Sequence, residues 1–115
     1  MKILVVDDAD YMHDMLREML EGYELIKASN GVEALEKYRE FKPDMVTMDL
    51  VMDNLNGIET IKKIIEYDKE ALILVISAVG DMECIKKAIK VGAKDYMWKP
   101  FMVKDLLNAI NKLLK

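Results

Sequence analysis

Five side chains with chemistry to offer stand directly after apolar runs. Asp7 and Asp8 follow Ile3-Leu4-Val5-Val6, Asp49 follows Met45-Val46-Thr47-Met48, Ser77 follows Leu72-Ile73-Leu74-Val75-Ile76, and Lys99 follows Tyr96-Met97-Trp98. Three carboxylates gathered in one place repel one another strongly without a cation. An all-oxygen ligand set suits a hard ion, Mg²⁺ or Mn²⁺, over zinc. A lysine and a hydroxyl beside a metal-bound carboxylate fit phosphoryl transfer, where most of the catalysis is positioning and charge neutralisation. In that chemistry Asp49 is the nucleophile. The metal would bridge carboxylates and one phosphoryl oxygen, Lys99 would offset the charge on a second, and Ser77 would donate a hydrogen bond to a third. Each residue alone has a plainer role, since an Asp after a strand often caps a helix and a serine can satisfy backbone groups. The set of five, spread over four strand ends, is what points to a site.

The elements that must bring them together are short apolar runs alternating with amphipathic segments, the pattern of an α/β fold with a doubly wound parallel sheet. Strands are expected at residues 2 to 6, 23 to 28, 44 to 48, 72 to 76 and 94 to 97. The first, third and fourth are the most apolar and should be central; the second and fifth should be edges. Helical stripes follow in Met12, Met15, Leu16, Met19 and Leu20; in Ile58, Ile61, Ile64 and Ile65; in Ile85, Ala88 and Ile89; and in Val103, Leu106, Leu107, Ile110, Leu113 and Leu114. Asn30-Gly31-Val32-Glu33 has the form that starts a helix, Gly22 and Gly92 sit where helices should stop, and Pro43 precedes the third strand. Asp10 is expected to cap the first helix, and His13 to lie on that helix's polar surface. Open parallel sheets act beyond the carboxyl ends of their strands, where strand order reverses. In the order 2-1-3-4-5, strands one, three, four and five are neighbours, and the five side chains converge.

Composition removes several classes of function. The 115 residues carry 17 Lys+Arg against 21 Asp+Glu, and no run of basic residues could track a phosphate backbone, so direct nucleic-acid binding is not expected. Residues 1–115 read as one domain, with no linker, repeat or output domain. The lone Cys84 excludes an internal disulfide and suits a half-buried helix position. The first apolar run is too short for a signal peptide or a membrane span, so a cytoplasmic protein without membrane insertion is expected. Ten methionines lie mostly on the apolar stripes and read as core filling.

The segments ILVVDDADYM, PDMVTMDLVMDNLNG, ALILVISAVGD and GAKDYMWKPF resemble the four signature regions of response-regulator receiver domains, in order and over essentially the whole chain, with the character of the single-domain chemotaxis regulators. The resemblance implies a five-stranded, flavodoxin-like (βα)5 fold with strand order 2-1-3-4-5. It makes Asp7 and Asp8 the acidic pair, Asp49 the phosphoacceptor, and Val51 the residue whose main-chain carbonyl completes the Mg²⁺ shell. Ser77 becomes the switch hydroxyl, Tyr96 the aromatic that turns inward on activation, and Lys99 the conserved-type lysine, followed by a cis peptide bond to Pro100. The implied protein is a two-component signalling switch and no turnover enzyme, a phosphoacceptor that assists its own phosphorylation and dephosphorylation. Its donor would be a histidine kinase. As a monomer it would signal by protein contact through the fourth helix, fifth strand and fifth helix, where Lys86, Lys87, Lys90 and Lys94 form a basic rim that suits acidic partner surfaces or is a merely solvated helix face. The target stays open between a motor component, an adaptor and a phosphotransfer protein, and so does the choice between chemotaxis and a phosphorelay.

One departure from the family pattern is Asp53, where receivers carry proline four residues after the phosphoacceptor; a solvated loop residue is expected there. Val51 and Val79 flank the path of the hydrolysing water in receivers, and two side chains without hydrogen-bonding groups orient that water poorly, which predicts slow self-dephosphorylation. Two rival chemistries fit less well. Asp8-Ala9-Asp10 imitates the nucleophile motif of haloacid-dehalogenase-type phosphatases, Mg²⁺-dependent enzymes that also form an aspartyl phosphate, but Met12 stands where Thr or Val is usual and Asp49 is left unexplained. A flavodoxin would open its first loop with small and hydroxyl residues around a phosphate, which the acidic pair would repel.

Overall fold

The computed structural model describes residues 1–7, 10–50, 57–78, 82–99 and 101–114, with Asp10, Tyr11 and Ala78 described by backbone alone. Along the chain run β1 (Lys2–Val6), α1 (Asp10–Met19), β2 (Glu24–Ala28), α2 (Gly31–Phe41), β3 (Met45–Asp49), α3 (Gly57–Tyr67), β4 (Ile73–Ala78), α4 (Met82–Lys90), β5 (Asp95–Lys99) and α5 (Val103–Leu114). The strands form one sheet in the order β2-β1-β3-β4-β5, all neighbours parallel. The most apolar strands are central, because a strand covered on both faces must be apolar on both.

Period-two alternation splits the core into two layers. Leu4, Val6, Val46, Met48, Ile73 and Val75 pack under α2, α3 and α4 with Ala34, Tyr38, Ile61, Ile64, Ile85 and Ala88. Ile3, Val5, Met45, Leu74 and Met97 face the other way, under α1 and α5, with Met12, Leu16, Leu20, Leu106 and Ile110. Met12, Met45, Met48 and Met97 are thus core residues, whereas Met82 and Met102 are exposed. Cys84 is half-buried on α4. Among the described residues no helix is long and apolar enough to cross a membrane.

Helix punctuation works as expected. Asn30 has extended backbone and its side chain accepts from the Glu33 N–H at 2.9 Å, capping α2. Past α4, Gly92 adopts φ +126°, and a Cβ there would meet Ile65 Cγ1 at 2.6 Å, so conformation and space both demand glycine. The first helix differs in detail: it begins at Asp10 itself.

Three strands run further than their apolar residues. β3 includes Asp49, β4 extends through Ser77 and Ala78, and β5 reaches Lys99. The parallel ladder pairs Asp49 with Ile76 and Ala78 with Lys99, and main-chain pairing does not depend on an apolar side chain. The polar residues therefore stand on rigid strand ends.

At the opposite end of the sheet, the buried Tyr38 donates its hydroxyl to Asp68 Oδ2 at 2.8 Å, tying α2 to the segment after α3. Burial, reinforced by the hydrogen bond to the Asp68 carboxylate and by its charge, holds the Tyr38 phenol well above its ordinary pKa. Because the folded value is raised, the stabilisation is complete below about pH 10 and is lost as pH climbs toward the folded value. Tyr38→Phe is expected to cost about 1 kcal/mol at neutral pH. Urea melts of the two proteins should converge above pH 10; a gap that widens there would contradict the assignment.

Candidate functional site

Alternation that puts Ile3 and Val5, Met45, and Met97 on the α1/α5 side of the sheet puts Asp7, Asp49 and Lys99 on that same side at the carboxyl ends of three strands. They meet there. Lys99 Nζ lies 3.2 Å from Asp49 Oδ2 and 3.8 Å from Asp7 Oδ2, one ammonium shared by two carboxylates. Asp7 and Asp49 are only 4% and 6% exposed. Two nearly buried carboxylates around one lysine carry excess negative charge in a poorly solvated place, and burying such a charge is costly unless a cation or hydrogen bonds offset it.

The main chain of Asp7 is fixed on two sides. Its N–H donates to the Ala28 carbonyl on β2 at 3.1 Å, and its carbonyl accepts from His13 Nε2 at 2.8 Å. This corrects the expectation that His13 lies on the polar surface of α1: it is 5% exposed. Its spacing carried a usable signal, because Leu16 and Leu20 stand three and seven residues on and are both buried. A histidine can join an apolar face when its ring N–H finds a carbonyl.

Ser77 falls on the other sheet face, in register with Trp98. It is fully buried and its Oγ finds no hydrogen-bond partner among the described residues. A buried hydroxyl left without a partner costs about 1–3 kcal/mol. Tyr96 alternates onto the same face as Trp98; the two rings meet edge-to-face at 5.4 Å, and Tyr96 is 38% exposed. Its ring is thus turned outward. Asp8, Val51, Asp53, Val79 and Pro100, and with Pro100 the expected cis bond after Lys99, lie outside the described residues. Among the described residues, which do not include Asp8, no three His, Cys, Asp or Glu side chains form a metal cluster.

Residues 3–111 match the response regulator receiver domain family. The chain belongs to that family. It is 47% identical to the chemotaxis protein CheY of Thermotoga maritima, over 99% of this chain and 98% of that protein. It is 44% identical to CheY of Bacillus subtilis, over 98% of this chain and 97% of that one. The solved structure of Vibrio cholerae chemotaxis protein CheY4 superposes with a TM-score of 0.92 at 30% identity, covering 98% of both chains. The protein is therefore a CheY-like receiver domain of a two-component system, in a class of signalling proteins distinct from enzymes that turn over a substrate.

The receiver's residues fit a hard divalent cation and a phosphoryl group. Oxygen donors from Asp7 and Asp49 carry the excess charge, and the Ser77 hydroxyl, without a partner among the described residues, adds a donor. One residue that expectation left out is Gly57, the first residue of α3. A Cβ there would lie 3.0 Å from both the Asp49 carbonyl oxygen and Leu50 Cα, so the helix start packs directly on the strand end that carries Asp49. An added methyl must push backbone, an overpacking cost of about 1–3 kcal/mol, against a gain of about 0.4–1 kcal/mol from a less flexible unfolded chain. Gly57→Ala is expected to melt several degrees lower and to take up phosphoryl groups more slowly. An unchanged melt and rate would show that α3 yields without moving Asp49.

Proposed function

We propose that this receiver accepts a phosphoryl group on Asp49 from the phosphohistidine of a histidine kinase, with Mg²⁺ held by Asp7, Asp8, Asp49 and the main-chain carbonyl of Val51, and with Mn²⁺ able to substitute. The observation that carries this reading is the shared contact of Lys99 Nζ with Asp7 Oδ2 and Asp49 Oδ2. A bound Mg²⁺ would supply charge neutralisation for the carboxylates and a transferring phosphoryl oxygen. An Asp49 carboxylate oxygen forms the new bond to phosphorus as the bond from phosphorus to the histidine nitrogen breaks, and the imidazole leaves. Lys99, already 3.2 Å from Asp49, exchanges its carboxylate contact for a phosphoryl oxygen. Ser77 donates its hydroxyl, without a partner among the described residues, to another.

Movement of Ser77 toward the phosphoryl group opens space on the sheet face it shares with Tyr96, and the outward Tyr96 ring can turn in. That converts a local charge event into a changed α4-β5-α5 surface. The exposed Lys86, Lys87, Lys90 and Lys94 and the exposed apolar Met82, Ile89 and Val103 suit an acidic partner with an apolar contact strip. The relatives' chemotaxis names support a chemotaxis-type role, and the target would be a motor component, an adaptor or a phosphotransfer protein. The protein would work as a cytoplasmic monomer.

The test is incubation with a small acyl phosphate. Added phosphoryl mass is expected with Mg²⁺ and none in excess chelator; equal labelling in both would overturn the metal reading. Amide shifts should change on labelling mainly within residues 77 to 115. Changes confined to α1 and α2 would contradict the proposed output face.

A further inference from the structure

His13 is a buried polar side chain that the phosphoryl chemistry leaves unused. A carbonyl oxygen can only accept, so the 2.8 Å contact means that Nε2 carries a hydrogen and donates it to Asp7, which sets the ring's orientation. Val5, Leu25 and Ile26 border the space beside the ring, together with Arg17 and Lys27. An apolar side chain would fill such a place without needing a partner. What the histidine adds is a donor aimed at one atom.

That atom belongs to the residue just past β1. The Asp7 N–H is already held by Ala28 on β2, and the His13 bond fixes the other half of the residue's main chain from α1. With both groups tied, the Asp7 carboxylate, whose Oδ2 lies 3.8 Å from Lys99 Nζ, starts from an immobilised backbone. Mg²⁺ demands near-ideal octahedral geometry and tolerates little displacement of its ligands. Hydrogen bonds that orient a metal-holding residue commonly contribute 10- to 100-fold in metal affinity.

We infer that His13 is a positioning residue for the cation site, acting through the Asp7 carbonyl to hold the acidic end of β1 in a cation-ready geometry. The inference rests on the reading of Asp7 as a cation-holding carboxylate. The test compares wild type with His13→Leu and His13→Phe, which fill the space without a donor, and with His13→Gln, whose amide N–H can reach the same carbonyl. Mg²⁺ alone is titrated into each protein, followed by the fluorescence of Trp98, and metal-free melts are recorded beside it. The expected result is Mg²⁺ binding weakened about tenfold in the Leu and Phe variants and restored toward wild type in the Gln variant. Metal-free melting temperatures should not follow that order. The Asp7 carbonyl ¹³C shift of the metal-free protein should change in the Leu and Phe variants and return in His13→Gln. Wild-type affinity in the Leu and Phe variants, or a Gln variant as weak as they are, overturns the positioning role. A wild-type protein that binds no Mg²⁺ overturns the cation reading itself, and is recognised before any variant is compared.

Discussion

Asp49→Asn protein, given a small acyl phosphate and saturating Mg²⁺, is expected to gain phosphoryl mass at least about a thousandfold more slowly than wild type. An amide oxygen is a far weaker nucleophile than a carboxylate, and the substitution also removes one of the two carboxylates that share Lys99. The fold should survive, because Asn keeps the shape of Asp and the Asp49 main chain stays in the ladder opposite Ile76. Removing a nearly buried negative charge should leave urea stability equal or higher, since the desolvation cost disappears with it. Intact-mass measurement over time checks the rate, and peptide mapping checks the residue. Labelling of Asp49→Asn at the wild-type rate, or mapping of the wild-type adduct to Asp7 or Asp8, would remove Asp49 from its assigned role.

Lys99→Met should move two observables in opposite directions. In metal-free protein the Lys99 ammonium competes with any added cation for Asp7 and Asp49. Opposite charges about 4 Å apart interact by about 4 kcal/mol at an effective dielectric constant of 20. Lys99 is 28% exposed on its side chain, so solvent screens a good part of that. The expected net change is about 1.4 kcal/mol, which corresponds to about tenfold tighter Mg²⁺ binding without the lysine. Phosphoryl uptake should nevertheless fall about 10²- to 10³-fold at saturating Mg²⁺, the usual loss when one preorganised donor to a developing charge is removed. Trp98 fluorescence gives the affinity and mass spectrometry gives the rate. Weaker Mg²⁺ binding in Lys99→Met would mean that the lysine organises the acidic site; an unchanged rate would mean that it never reaches the phosphoryl group.

Much of this receiver is legible in its sequence. Apolar runs punctuated by Asp7, Asp49, Ser77 and Lys99 implied a parallel sheet with its chemistry at the carboxyl edge, because burial on both faces and the switch in strand order are written in side-chain type and spacing. Central β1, β3 and β4 and edge β2 and β5 followed from hydropathy alone. Strand ends did not. Asp49, Ser77 and Lys99 lie inside β3, β4 and β5, since ladder pairing is a property of the neighbouring main chain and leaves no mark on side-chain polarity.

Tertiary structure alone decided the rest. Lys99 and Asp49 are 50 residues apart, and only the register of β3, β4 and β5 brings Nζ to 3.2 Å from the carboxylate. That Ser77 Oγ has no partner among the described residues depends on its packed neighbours, and the closeness of Gly57 to the Asp49 carbonyl depends on where α3 settles on the sheet. His13 marks the boundary most clearly. Its spacing from Leu16 and Leu20 hinted at burial, but an imidazole is accepted in an apolar layer only if a particular acceptor lies within reach. That acceptor, the Asp7 carbonyl, is supplied by the end of another element. Sequence specifies which groups need partners, and the packing of strand against helix determines which partners they find.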